Sequence, residues 1–231
     1  MPDQPLPFDL PDTLVTQANR RWDNTVGMSL LSRLTGADYL SLVALFFAWT
    51  STVLLLRERV HLGILVMFGA FAFDKLDGYY ARTRGVSSSF GRQVDTFIDV
   101  FAYLVTAALL YHVVLSPSWW ATVIVGFAIV TFGGLRLVRH ADEGFGEAEG
   151  TSYYIGWTVV HANFVVLALV YLDIFVGGIN GWLAAVPIVI AGLMMVSGYK
   201  SYKTTLGHAV GGLLICVAAA TSLFVVLTGG T

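Results

Sequence analysis

Residues 94–138 read VDTFIDVFAYLVTAALLYHVVLSPSWWATVIVGFAIVTFGGLRLV. Two apolar runs, 94–115 and 119–138, flank the turn tripeptide Ser116-Pro117-Ser118. Each run is about 20 residues, the length a helix needs to cross a hydrocarbon core of about 30 Å. A membrane barrel would instead need alternating segments of about ten residues, and the runs do not alternate. The stretch therefore reads as two membrane helices joined by a tight turn. Outward from it the same signal recurs at 39–56 and 60–81, and at 154–176, 182–199 and 209–227. Gly177-Gly178, Asn180-Gly181 and Gly207 supply breaks between the later runs. The expected fold class is all-α, a polytopic membrane helix bundle with a six-span core and one further C-terminal span.

Composition points the same way. The 231 residues are 56% hydrophobic and 12% charged, with a mean hydropathy of +0.73. A soluble domain carries about 25% charged residues, so an ordinary water-soluble enzyme and a disordered chain are excluded. A net charge of −2 offers no basic surface for nucleic acid. The lone Cys216 excludes a disulfide scaffold, and five scattered histidines lack metal-ligand spacing.

Residues 1–38 form a separate region ahead of a single transmembrane domain at 39–231. Pro2, Pro5, Pro7 and Pro11 make its start loose. Leu14, Ala18, Trp22, Val26 and Leu30 then recur at helical spacing opposite Arg20, Arg21 and Asp23, the pattern of an amphipathic helix on the membrane surface. Lys and Arg flank alternate ends of the spans. The positive-inside rule then puts the N-terminus, the 82–93 and 139–152 loops and the Lys200 end in the cytoplasm of a multi-pass cell-membrane protein.

Residues 74–99 read DKLDGYYARTRGVSSSFGRQVDTFID. Ionisable groups at membrane depth cost about 2.5–3.5 kcal/mol each on insertion scales and mark function. Asp74 and Asp77 are three apart and Asp95 and Asp99 four apart, so each pair shares a helix face. A short polar turn between the two helices brings four carboxylates together. Such a cluster cannot stay ionised without a countercharge, and all-oxygen ligands select hard cations such as Mg²⁺ or Mn²⁺. A salt-bridge network with Lys75, Arg82, Arg84 and Arg92 is the plainer alternative. Gly78, Ala81 and Gly91 leave room along the same faces for a large flat ligand or for close helix approach.

The string resembles the signature of the CDP-alcohol phosphotransferases: Asp, two residues, Asp-Gly, two residues, Ala-Arg, eight residues, Gly, three residues, Asp, three residues, Asp. Every specified position matches. The resemblance implies transfer of a phosphatidyl-type group from a CDP-linked lipid to an alcohol, with release of CMP, at a site on the cytoplasmic face. It implies that Asp74, Asp77, Asp95 and Asp99 hold the metal, as two divalent cations, and that Asp99 is the general base. It assigns Gly78, Ala81, Arg82 and Gly91, together with Asp74 and Asp77, to binding the CDP-lipid.

Three later segments resemble the phosphatidylserine or archaetidylserine synthase branch: Gly134-Leu135-Arg136-Leu137-Val138-Arg139, Tyr153-Tyr154-Ile155-Gly156, and Leu193-Met194-Met195-Val196-Ser197 with Tyr199 and Lys203. The implied acceptor is L-serine, whose carboxylate suits an arginine fork. Arg136, Arg139, Lys200 and Lys203 are the candidate acceptor cations. Glycerol phosphate or inositol phosphate would want the same cations and are the alternative acceptors. An alternative of another class is a membrane cation transporter that uses the aspartates as its ion site. Membrane lipids are the expected surroundings, and the glycine-containing spans permit a homodimer.

Overall fold

Local signals set most of the helix ends. In the computed structural model, which describes residues 34–86, 88–148, 151–202 and 204–229, α1 spans Gly36–Leu56 and α2 spans Val60–Arg84. Gly85, at φ +65°, ends α2 in the left-handed conformation that a residue without Cβ adopts freely. Ser88 caps the next helix by accepting a hydrogen bond from the Gly91 N–H at 2.8 Å. That helix, α3, is a rod of four pieces: Ser89–Asp99, a π-helical turn Val100–Val105, Thr106–Leu110 and a second π-helical turn Tyr111–Leu115. Ser118 caps α4, Trp119–Glu143, through the Ala121 N–H. Helices α5 (Val159–Val176), α6 (Gly181–Val196) and α7 (Thr205–Leu227) complete the bundle.

α3 lies at the centre, with half of its apolar span buried, and packs on α1, α4 and α5. α1 lies along α2, and α4 along α6. Only 6% of the span of α7 is buried. It leans on α2 and is latched by polar groups: Tyr171 Oη donates to the Ala218 carbonyl at 2.9 Å, and Ser222 Oγ lies 2.7 Å from Tyr171 Oη and 3.2 Å from His61 Nδ1. Large apolar side chains such as Phe46, Phe127 and Phe224 face outward, as lipid contact requires.

Among the described residues five helices, α1, α3, α4, α5 and α7, are long and apolar enough to cross a membrane. The protein is a multi-pass membrane protein. The expected count of six spans plus one is not reached by this measure. α2 carries Asp74, Lys75, Asp77, Arg82 and Arg84 in its second half, and α6 has only 16 residues. The surface helix expected before the first span lies outside the described residues.

Two expected span ends are corrected. Residues 154–158 are not helix, and 197–199 are not the end of one. They belong to or flank a small antiparallel sheet: β1 (Gly146–Ala148), β2 (Thr151–Ile155) and β3 (Lys200–Tyr202), in that order. Tyr153 opposes Gly146 on one side and Tyr202 on the other. The aromatic and β-branched run Tyr153-Tyr154-Ile155 suits a strand, and Thr158 at the N-cap starts α5 only after it. What reads as a solvated 139–152 loop is therefore partly structured, with Asp142 and Glu143 in the last turn of α4 and Glu147 in β1.

Candidate active site

The reversal between α2 and α3 makes them antiparallel and sets Asp74 against Asp95 and Asp99. One ligand atom from each of these three carboxylates lies within 4.8 Å of the others, and all three residues are half-buried. Such a group of carboxylate oxygens could hold a hard divalent cation. Among the described residues, Lys75 is the one cation paired with the cluster, its Nζ 3.4 Å from Asp74 Oδ2. Of the plainer reading, a salt-bridge network with Lys75, Arg82, Arg84 and Arg92, the Lys75 pair is present, and no ion pair to the three arginines is formed among the described residues.

Asp77 is not in that 4.8 Å group, although it is within electrostatic reach of Asp74 and Asp95. Residues three apart on a helix differ by about 60°, enough for Asp74 to face α3 while Asp77 faces α1. There Ser41 Oγ donates to Asp77 Oδ2, and Asp77 is buried. Asp38, also buried on α1, is an acidic neighbour that the sequence reading missed. A Cβ on Gly91 would stand 2.9 Å from Asp38 Oδ1, so the room at Gly91 admits α1. The room at Gly78 is met by the tip of Arg82, 3.1 Å from an ideal Cβ. Ala81 is half-buried on the same helix.

The candidate acceptor cations part company. Arg136, on α4, is 4% exposed, and its Nε has no hydrogen-bond partner among the described residues. Its guanidinium lies 5.3 Å from the centre of the Tyr154 ring on β2 and within electrostatic reach of Asp99. Arg139 is committed to the main chain. Its Nη2 donates to the carbonyls of Ile155 at 2.7 Å and Met195 at 2.9 Å, and its Nη1 to those of Val196 and Ser197, each at 3.3 Å. Lys200 Nζ sits 5.1 Å from the Tyr153 ring centre. Side chains alternate along a strand, so this is the face of the sheet opposite Tyr154. Lys203 lies outside the described residues.

Arg139 therefore ties the end of α4 to β2 and to the end of α6, the three segments that share the serine-branch resemblance. The joint is completed by the Gly156 N–H on the Tyr199 carbonyl at 2.6 Å and the Trp157 N–H on the Met194 carbonyl at 3.0 Å.

A model of the CDP-alcohol phosphatidyltransferase family matches residues 34–228, a range that takes in the aspartate seam and the joint. The chain belongs to the CDP-alcohol phosphatidyltransferase family. Among its relatives, the archaetidylserine synthase of Methanothermobacter thermautotrophicus is 31% identical over 104 residues, 44% of this chain and 45% of the relative. The CDP-diacylglycerol–serine O-phosphatidyltransferase of Mycobacterium tuberculosis is 25% identical over 185 residues, covering 71% of this chain and 63% of the relative. The protein of that same name from Methanocaldococcus jannaschii is 24% identical over 193 residues, 82% of this chain and 86% of the relative. The chain spans about half of the first of these relatives and under two thirds of the second.

In this phosphatidyltransferase-family chain the joint makes a direct forecast. Gly156 has φ +77°, and a Cβ there would stand 2.7 Å from Arg139 Nη2 and closer still to the Met195 carbonyl oxygen. Left-handed backbone costs an L-residue about 1–2 kcal/mol before any clash. Gly156→Ala is expected to lose at least that much stability, which for a chain of this length lowers the unfolding midpoint by at least about 2–8 °C. Thermal unfolding in detergent measures it; an unchanged midpoint would show that the joint yields freely.

Proposed function

We propose that this chain transfers a phosphatidyl-type group, a diacyl- or dialkyl-glycerol phosphate, from a CDP-linked lipid to L-serine and releases CMP. The observation that carries the serine assignment is Arg136: a buried guanidinium with an unpartnered Nε, over the Tyr154 ring and within electrostatic reach of Asp99. A buried donor without a partner costs about 1–3 kcal/mol, and a carboxylate bound at Arg136 would satisfy it. A carboxylate fits a guanidinium fork better than any other small anion of an amino alcohol.

Asp74, Asp77, Asp95 and Asp99 form the proposed ligand set for two divalent cations, Mg²⁺ or Mn²⁺. When bound, these supply positive charge to the pyrophosphate of the donor and stabilise charge on the attacking and leaving oxygens. Gly78, Ala81, Arg82 and Gly91 belong to the donor side of the site.

With Arg136 holding the serine carboxylate, the serine hydroxyl is directed at the seam, where Asp99 accepts its proton. The serine oxygen forms a bond to the phosphorus that carries the lipid. The bond from that phosphorus to the bridging oxygen breaks, and CMP leaves with the electron pair. An alcohol is a poor nucleophile near neutral pH, so a placed base is needed. The lipid tails stay in the bilayer and CMP leaves to water, in keeping with a site at the cytoplasmic face of the cell membrane. Homodimers of this chain form part of the same reading, and cross-linking in intact membranes reads them out.

The test is purified protein given a CDP-lipid, Mg²⁺ or Mn²⁺, and a panel of alcohols, with CMP release measured. Serine-dependent CMP release is expected. Turnover with glycerol phosphate or inositol phosphate but not serine would overturn the acceptor and leave the transfer chemistry standing. No CMP release with any alcohol would overturn the chemistry itself, and ion flux in proteoliposomes would then favour the transporter reading.

A further inference from the structure

One buried tyrosine joins both halves of the acidic seam. Tyr103, 2% exposed, donates its phenolic hydrogen to Asp74 Oδ2 at 2.7 Å. It stands one turn beyond Asp99 and two beyond Asp95 on α3, so the residue that grips Asp74 rides on the helix that carries the other two carboxylates. Its ring is fixed by Phe71 of α2, stacked with centroids 4.4 Å apart and planes 17° from parallel. Its carbonyl accepts a hydrogen bond from Asn163 Nδ2 of α5 at 3.0 Å. Tyr103 is thus held at ring and backbone by two other helices, which fixes the position of its hydroxyl oxygen and leaves its hydrogen to point at Asp74.

We propose that Tyr103 is a positioning residue for the metal site: its hydroxyl fixes which oxygen of Asp74 faces Asp95 and Asp99. This rests on reading the trio as cation ligands. The donated hydrogen occupies a lone pair of Oδ2, which exposed Lys75 also approaches at 3.4 Å, and so restrains the carboxylate from rotating. Partners of this kind orient the ligands they touch, and losing one costs about 10–100-fold in metal affinity or activity. The stacking with Phe71 sets the spacing of α2 and α3 at this level, so the hydroxyl is delivered at one height along the seam.

The experiment uses the full chain purified in detergent, with no lipid donor and no alcohol, and titrates Mn²⁺ by its electron paramagnetic resonance signal. Tyr103→Phe keeps the ring and the stack and removes only the oxygen. It is expected to bind Mn²⁺ about tenfold more weakly than the parent, with the metal-free unfolding midpoint little changed. In turnover assays its half-saturating Mn²⁺ rises by a similar factor while kcat recovers at saturating metal. Tyr111→Phe is the control: Tyr111 is fully buried on the same rod, and its hydroxyl reaches the Gly181 carbonyl at 3.4 Å, away from the aspartates. Its Mn²⁺ affinity should match the parent. Equal Mn²⁺ affinity in Tyr103→Phe and the parent would overturn the proposal. So would a metal-free Tyr103→Phe that unfolds while Tyr111→Phe stays folded, because the hydroxyl would then serve the fold. A parent that binds no Mn²⁺ would instead overturn the cation reading of the trio, and the proposal with it.

Discussion

Asp99→Asn is expected to lower turnover about 10²–10⁴-fold, the usual scale for removing a general base. The amide keeps the size and planarity of the carboxylate and loses its capacity to take the serine proton. Because Asp99 also lies in the carboxylate trio, the comparison is made at Mn²⁺ concentrations that saturate the variant, so that weaker metal binding does not pass for lost base strength. Asp74→Asn is the matched control. It removes a ligand on the opposite helix, and its deficit should shrink as metal is raised, whereas that of Asp99→Asn should persist. Near-parental turnover in Asp99→Asn at saturating metal would remove Asp99 from the role of base.

The second large effect is at Arg136. Arg136→Lys keeps a positive charge but loses the planar fork. A hydrogen bond to a charged group is worth about 1.5–3 kcal/mol, which corresponds to about a 10–150-fold rise in KM for serine. The KM for the CDP-lipid should move far less, since nothing in the geometry puts Arg136 on the donor. Arg139→Lys separates ligand binding from scaffolding. Four main-chain acceptors hold the Arg139 guanidinium, so its replacement should lower the unfolding midpoint as well as activity, whereas Arg136→Lys should leave the midpoint nearly unchanged. Equal KM values for serine in Arg136→Lys and the parent would remove Arg136 from the acceptor site.

Two features explain why the acidic seam is so legible in the sequence. The apolar runs are set by the thickness of a bilayer, and the spacings 74/77 and 95/99 by the pitch of a helix; both are local. The break between α2 and α3 is likewise written in Gly85 and Ser88, which end one helix and cap the next. The small sheet was hidden for the opposite reason. Its strands have three to five residues, too short to print an alternation, and β3 pairs with β2 across the whole of α5 and α6. The partners of the seam were hidden too. Nothing around Ser41 marks it as the partner of Asp77, 36 residues away, and nothing around Tyr103 marks Asp74, 29 residues away, as the carboxylate its hydroxyl meets. The charged Asp38 immediately before the first apolar run was the one available hint for α1.

The sequence by itself determined the membrane class, the helical bundle, the turn between α2 and α3 and the aspartates that mark the chemistry, because each depends on residues within a few helical turns of one another. Only the tertiary structure decided how those groups divide. It sent Asp74 to Asp95 and Asp99 but Asp77 to Ser41, and it tied Arg139 to the main chain while leaving Arg136 buried with an open donor. Identical side chains three residues apart on one helix differ by about 60° in direction. Which neighbour each one meets depends on how the bundle packs around that helix, and the packing is set by residues far away in the chain.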